Sequence, residues 1–390
     1  MRVDLPFSPS EDPFVVEHGG FYRRWVSMVH DVAELKRVVQ SLEGTTDDLW
    51  VPVWRNVGSR YEARGDELAA KGDHAGARAA FLQAKTYYSI GRFPAELTEL
   101  KRDISNDCSR AYQKACADLE PPLEVVDLEH EGFPIRAHFR APQGLGTVPA
   151  VLVICGADVF KEDRGWAQDL CMTRGMASLV VDGPGTGENS FPWAPESVSA
   201  WNAVLDYLAS RPEVDRRRVG AFGISRGGYS VMQLAGTEPQ KLSAVVAIAG
   251  HPFGYVMPDE ELEAYVESRN RRAGFLFGAP NDGPSFDKSS VSRERTEFKR
   301  WSLAEQGIVD NITMPVLMIN GKRDHVAPIG NIYFMLETGP VAGKEARIYH
   351  DAGHCAFKYF DHWAPAAFDW LAARLTRPEE GGRGTARGNH

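Results

Sequence analysis

A serine stands in a frame of glycines at Gly223-Ile224-Ser225-Arg226-Gly227-Gly228, directly after the apolar run RRVGAF and before the helical run YSVMQLAG. A sharp strand-to-helix turn that presents a hydroxyl needs small residues on both sides, and glycines occupy those places here. A helix starting beneath the serine puts positive potential where an oxyanion would form, and the backbone N–H of Arg226 becomes one donor to it. The chemistry this suits is nucleophilic attack on a carbonyl carbon. A serine hydroxyl is a weak nucleophile at neutral pH, so a histidine base and a carboxylate to orient it are required downstream, in the order serine, aspartate, histidine. Both occur. Asp324 follows the apolar run PVLMI, and His354 follows EARIYH within the turn Asp351-Ala352-Gly353-His354. The interval between them has room for one helix and one strand.

Rivals exist for each role. His350 ends its strand and reads as a packed or surface histidine; Asp310 precedes its strand instead of following it; Asp351 shares the turn of His354 and is badly placed to face the far side of the ring. The second oxyanion donor is expected from the turn after Val151 to Ile154, where Cys155-Gly156-Ala157-Asp158 stands and the N–H of Ala157 is the choice. Two readings of Asp158 stay open: a hydrogen bond to a substrate hydroxyl, or a cap on the next helix. Cys155 reads as an apolar strand end, with a reactive thiol as the alternative. Asp182-Gly183-Pro184-Gly185-Thr186-Gly187 lacks the spacing of a dinucleotide loop and carries a proline in its turn, so a phosphate cradle is rejected.

The elements that must position these residues are short strands alternating with helices from residue 123 onward: VPAVLVICG, ASLVVDGPG, RRVGAFGIS, LSAVVAIAG, PVLMING and EARIYHDAGH, with helices near Trp166 to Gly175, Ser197 to Arg211 and from Arg226. Such alternation implies a mostly parallel, doubly wound sheet, whose chemistry gathers at the carboxyl ends of its strands. With the Ser-Asp-His order, it predicts the α/β-hydrolase fold. Residues 20–120 read instead as helices: Gly20 to Leu42, Thr46 to Gly72, Asp73 to Tyr88 and Pro94 to Leu119, with Asp73 as an N-cap and Gly72 as a stop. Pro121-Pro122 breaks the pattern. The expected organisation is a helical N-terminal cap over 1–122, a catalytic domain over 123–376 and a disordered Gly- and Arg-rich tail over 377–390. A single helical hairpin with tetratricopeptide-like residues (Trp54, Gly58, Tyr61, Ala77, Phe81, Pro94) is too little for a solenoid. Its aromatic residues, Tyr87 and Tyr88 among them, are candidates to line a substrate pocket.

Composition bounds the rest. With 390 residues, 43% hydrophobic, 25% charged and a net charge of -9, the chain is ordinary and globular, and nucleic acid is not an expected partner. The first twenty residues lack the basic start and apolar run of a signal peptide, and no stretch reaches the roughly 18 apolar residues of a membrane span, so a cytoplasmic protein without membrane association is expected. Five cysteines, scattered and without CxxC spacing, suit reduced thiols better than a zinc site or disulfide frame, and neither a metal nor another cofactor is expected.

Trp54...Tyr61-Glu62-Ala63...Gly72-Asp73...Ala77...Phe81...Ala84...Tyr87-Tyr88...Phe93-Pro94, then Gly156-Ala157-Asp158...Lys161-Glu162, then Gly223-Ile224-Ser225-Arg226-Gly227-Gly228-Tyr229 together resemble one branch of the α/β hydrolases. That branch contains 2,6-dihydroxypseudooxynicotine hydrolase, fungal polyketide chain-shortening hydrolases and the fermentation-respiration switch protein. The resemblance spans residues 50–372. It implies a helical cap closing over the triad, a homodimer, and cleavage of an ester or of a carbon-carbon bond beside a ketone in an aryl or polyketide-like small molecule. Cys155-Gly156 departs from the commoner Gly-Gly pair. Two other function classes remain: an acyl transferase or cyclase using the same triad but excluding water, and a non-catalytic regulatory protein, which an intact triad argues against.

Overall fold

The computed structural model describes residues 28–44, 46–93, 98–252, 298–340 and 343–376, together with residues 25, 258, 260, 262, 295 and 296. The expected tail over 377–390, the first twenty-four residues and most of 253–297 lie outside the described residues.

Among the described residues four complete helices come first: α1 (Val32–Gln40), α2 (Asp47–Ala70), α3 (His74–Gly91) and α4 (Glu99–Ala115). Their ends follow local chemistry. The Asp73 carboxylate accepts the Gly76 N–H at 2.9 Å as an N-cap, and Gly72 closes α2 at φ +77°, a left-handed conformation that favours glycine. α4 begins at Glu99 with Thr98 as its cap, later than the expected Pro94. The helices bury an aromatic core of their own: Trp50, Trp54, Tyr87 and Tyr88 are almost wholly inaccessible, with the Trp54 ring 5.1 Å from Trp50 and 6.3 Å from Tyr87. Trp54→Ala would empty the middle of this cluster. A loss of about 3–5 kcal/mol is expected, read as a lower denaturation midpoint.

The rest is one eight-stranded sheet in the order β1-β2-β4-β3-β5-β6-β7-β8. The strands are β1 (Glu124–His130), β2 (Phe133–Arg140), β3 (Val148–Ile154), β4 (Ala177–Val181), β5 (Val214–Ile224), β6 (Ala244–Ile248), β7 (Val316–Gly321) and β8 (Lys344–Tyr349). β1 and β2 pair antiparallel, β2 pairs antiparallel with β4, and every other pairing is parallel. Strands β3, β4, β6 and β7 are buried along their whole length, which is why they read as continuous apolar runs.

Alternation sorts the side chains. In β3, Ala150, Leu152 and Ile154 join one apolar cluster with residues of α6 (Val198–Ser210), α7 (Arg226–Thr237) and α8 (Gly330–Glu337), while Val151 and Val153, with Cys155 just past the strand, join a second with residues of α5 (Gly165–Met172) and α9 (Phe360–Leu375) on the other face. This is the α/β-hydrolase fold. The loops after β3, β5, β7 and β8 leave the sheet at its carboxyl edge and carry Ala157, Ser225, Asp324 and His354 there.

Candidate active site

Ser225 sits between β5 and α7 at φ 58° and ψ -117°, a conformation sparsely populated for a side-chain-bearing residue and worth about 1–3 kcal/mol of strain. The surrounding structure holds it there. The Ser225 N–H donates to the Ile248 carbonyl at 2.7 Å. A Cβ on Gly227 would lie 2.2 Å from the Ile154 carbonyl oxygen, so the helix can begin this close to β3 only on glycine. The loop after β3 also runs against this turn, since a Cβ on Gly156 would stand 2.9 Å from the Ile224 carbonyl oxygen and 3.5 Å from Ser225 Cβ.

A hydrogen-bonded line joins three loops. His354 Nε2 lies 2.9 Å from Ser225 Oγ, and His354 Nδ1 lies 2.7 Å from Asp324 Oδ2. The His354 side chain keeps 25% of its surface exposed while the Asp324 side chain has none, so the line runs from an accessible base to an enclosed acid. Asp324 Oδ1 accepts the N–H groups of Val326 and Ala327 at 2.7 and 3.0 Å, and Oδ2 accepts the Asn320 amide at 2.8 Å. Burial opposes the carboxylate charge, but the His354 charge and hydrogen bond, the Ala327 N–H and the Asn320 amide outweigh it, and the Asp324 pKa falls below the usual range. For His354, burial opposes protonation, yet the Cys355 sulfur and the Asp324 carboxylate overcome it and hold the imidazole well above its ordinary pKa. A base that must take a serine proton gains from that shift.

The rivals fall elsewhere. Asp351 pairs with Lys358 and accepts from the Tyr359 hydroxyl at 2.6 Å, His350 is exposed, and Asp310 lies on an exposed turn before β7. Cys155 is fully buried, and burial pushes its thiol pKa up, which makes the reactive-thiol alternative untenable. Arg226 opens α7, where helix N–H groups point out of the helix end, and its guanidinium lies 4.6 Å above the Trp193 ring. Ala157 and Asp158 form the half-buried bend next to Gly156.

Tyr87 and Tyr88 require a correction, because they lie inside the helical segment and not around Ser225. Tyr87 stacks on Tyr61 at 5.4 Å, and the Tyr88 hydroxyl donates to Glu62 at 2.9 Å. Neither ring has surface left to offer a ligand. Asn320 was overlooked: besides holding Asp324 it donates to the Ala327 carbonyl and accepts from the N–H groups of Gly321 and Cys355, tying the acid loop to the histidine loop. His251, at the end of β6, was also overlooked. Burial pushes its pKa down to about 4, and the charges of Asp324 and His354 both reach it. Its place after the strand AVVAI was the available signal.

Residues 25–376 match the family described as Esterase FrsA-like. The chain belongs to that family. This FrsA-like chain is accordingly a hydrolase of the esterase class within the α/β-hydrolase superfamily. It is 23% identical over 351 residues to the 2,6-dihydropseudooxynicotine hydrolase of Paenarthrobacter nicotinovorans, covering 89% of this chain and 90% of that one. It is 28% identical over 309 residues to Esterase FrsA of Salmonella schwarzengrund, covering 76% of this chain and 70% of the relative. The crystal structure of the 2,6-dihydroxy-pseudo-oxynicotine hydrolase superposes with a TM-score of 0.71 at 22% identity, over 92% of this chain and 96% of that chain. Among the described residues no helix is long and apolar enough to cross a membrane, and no three His, Cys, Asp or Glu side chains gather as metal ligands.

Proposed function

We propose that this FrsA-like esterase is a serine hydrolase in which Ser225 attacks a substrate carbonyl, His354 takes and later returns the proton, and Asp324 orients the imidazole. The observation that carries the reading is the unbroken line Ser225 Oγ, His354, Asp324 at the carboxyl edge of the sheet. The backbone N–H groups of Arg226 and Ala157 receive the oxyanion, a role supported by the start of α7 and by the approach of Gly156 to Ser225. Collapse of the tetrahedral intermediate expels an alcohol, or a carbanion where the leaving carbon is stabilised as an enolate or a phenol-like anion. Water releases the acyl group.

The substrate class is an ester or an aryl or polyketide-like ketone, with the helical segment as its cap. Similarity over most of both chains to a hydrolase named for 2,6-dihydropseudooxynicotine supports a small-molecule substrate. A homodimer, implied by the resemblance, belongs to the same proposal. The test is a fluorophosphonate probe followed by turnover of aryl esters against β-diketones with product analysis. Labelling that spares Ser225 ends the serine-hydrolase reading, and an acyl group found on a second substrate carbon or oxygen instead of in a free acid makes the protein a transferase or cyclase.

A further inference from the structure

The turn Lys161–Asp163 begins seven residues beyond the end of β3, just past the Gly156-Ala157 bend, and its side chains are buried although all three are charged. One side of the turn is fastened to the end of β4. The Lys161 N–H donates to Asp182 Oδ1 at 2.6 Å, and the fully enclosed Lys161 ammonium donates to Asp182, Glu162 and Glu188 at 3.1, 2.6 and 2.5 Å. The other side is fastened to the helical segment. Arg92 gives two N–H groups to Glu162 Oε2 at 3.1 and 3.2 Å, Lys85 donates to Asp163 Oδ1 at 2.6 Å, and the Ser89 hydroxyl donates to Asp163 Oδ2 at 3.0 Å. Lys85, Ser89 and Arg92 are spaced i, i+4, i+7, so they form one stripe along α3 and its C-cap. The Arg92 guanidinium also lies 3.6 Å above the ring of Phe160, in the loop itself.

An apolar stripe would have filled the same space. Ion pairs are directional, and a guanidinium or ammonium held against one carboxylate oxygen sets where that oxygen sits. Burial opposes charge on Glu162 and Asp163, but Lys161 and Arg92 at the first and Lys85 and Arg92 at the second reverse this, and both carboxyls titrate below their usual range. Both therefore remain anionic, and the tether persists, throughout the neutral range.

We infer that Lys85 and Arg92 are positioning residues for catalysis: through Asp163 and Glu162 they hold the loop whose Ala157 N–H receives the oxyanion. The inference rests on the proposed oxyanion role of Ala157. The helical segment then serves the chemical step as well as enclosing the substrate, because a displacement of about 1 Å in a catalytic group can cost on the order of 100-fold.

The test uses the full chain. Arg92→Gln and Lys85→Met are expected to lower kcat about 10- to 100-fold on a small activated ester while KM stays within about threefold, and Lys85→Arg is expected to restore most of the loss. A tether that served only folding would lower the melting temperature without separating kcat from KM. Should Arg92→Gln not fold, Lys85→Met at the outer edge of the tether carries the measurement, its side chain being 10% exposed. Ala157→Pro removes the N–H outright and is expected to cost about 10²- to 10³-fold in kcat. Ala157→Pro combined with Lys85→Met should then be no slower than Ala157→Pro alone, since both act on one donor. An unchanged kcat in Ala157→Pro overturns the oxyanion assignment. A loss there beside native kcat in folded Arg92→Gln and Lys85→Met, or losses that multiply in the combined variant, overturns the tether alone.

Discussion

Ser225→Ala is expected to lower kcat by about 10⁴- to 10⁶-fold, the scale seen when a triad nucleophile is removed, with the native fold kept. The reaction needs an oxygen at the end of the His354 imidazole, and alanine offers none. The fold needs only the backbone turn, which is held by the Ser225 N–H to Ile248 and by the glycine approach at 227. Alanine tolerates φ 58° no worse than serine does, and the lost hydrogen bond to His354 is worth about 1 kcal/mol. Thermal melts of the two proteins should nearly coincide while fluorophosphonate labelling disappears. A variant with near-native turnover means that Ser225 is not the nucleophile. His354→Ala should be almost as slow, and the combination no slower than either, because the members act as a unit.

Asp324→Asn is expected to cost about 10⁴-fold in kcat at neutral pH, by a mechanism the hydrogen bonds specify. The amide oxygen would keep the Val326 and Ala327 N–H groups, which places the new NH2 where Oδ2 was, against the Asn320 amide and His354 Nδ1. Donor then meets donor at Asn320. At His354 the amide favours the tautomer with its proton on Nε2, which cannot accept from Ser225. The pH profile adds a separate reading. A base works when neutral, so kcat/KM in the native enzyme should rise with pH through a midpoint above 6.5, matching the raised His354 pKa. Removing the Asp324 carboxylate removes one of the causes of that rise, and the midpoint should move to lower pH. If Asp324→Asn were silent and Asp310→Asn slow, the acid would be the wrong one.

The helical segment shows where reading residues in order meets its limit. Asp73 as a cap and Gly72 as a stop were legible because each acts within one turn of its own position. Tyr87 and Tyr88 look the same in sequence whether they face a pocket or a helix core. Their burial was decided by Trp54, Tyr61, Gly58 and Glu62 on α2, brought opposite them by helix packing. Lys161 and Glu162 entered the sequence reading only through the family resemblance, and nothing local set Lys85, Arg92 and Asp163 apart from other charged residues. Their partners stand as far apart as 78 positions along the chain, and nothing local in a lysine announces that it will be enclosed.

The sequence by itself determined the elbow, since a serine framed by glycines between an apolar strand and a helix has few other backbone solutions. It also determined the alternation that makes the sheet mostly parallel, and the order in which acid and base follow. Position after an apolar strand singled out Asp324 over Asp310 and Asp351, and the tertiary structure decided its contact with His354. Asp324, Asp310 and Asp351 all lie near a strand end, and only the register of β7 against β8, with Asn320 bridging their loops, brings Asp324 to 2.7 Å from the imidazole. It alone decided as well that the loop after β3 is held from two sides, because enclosing a charge depends on every element packed around it.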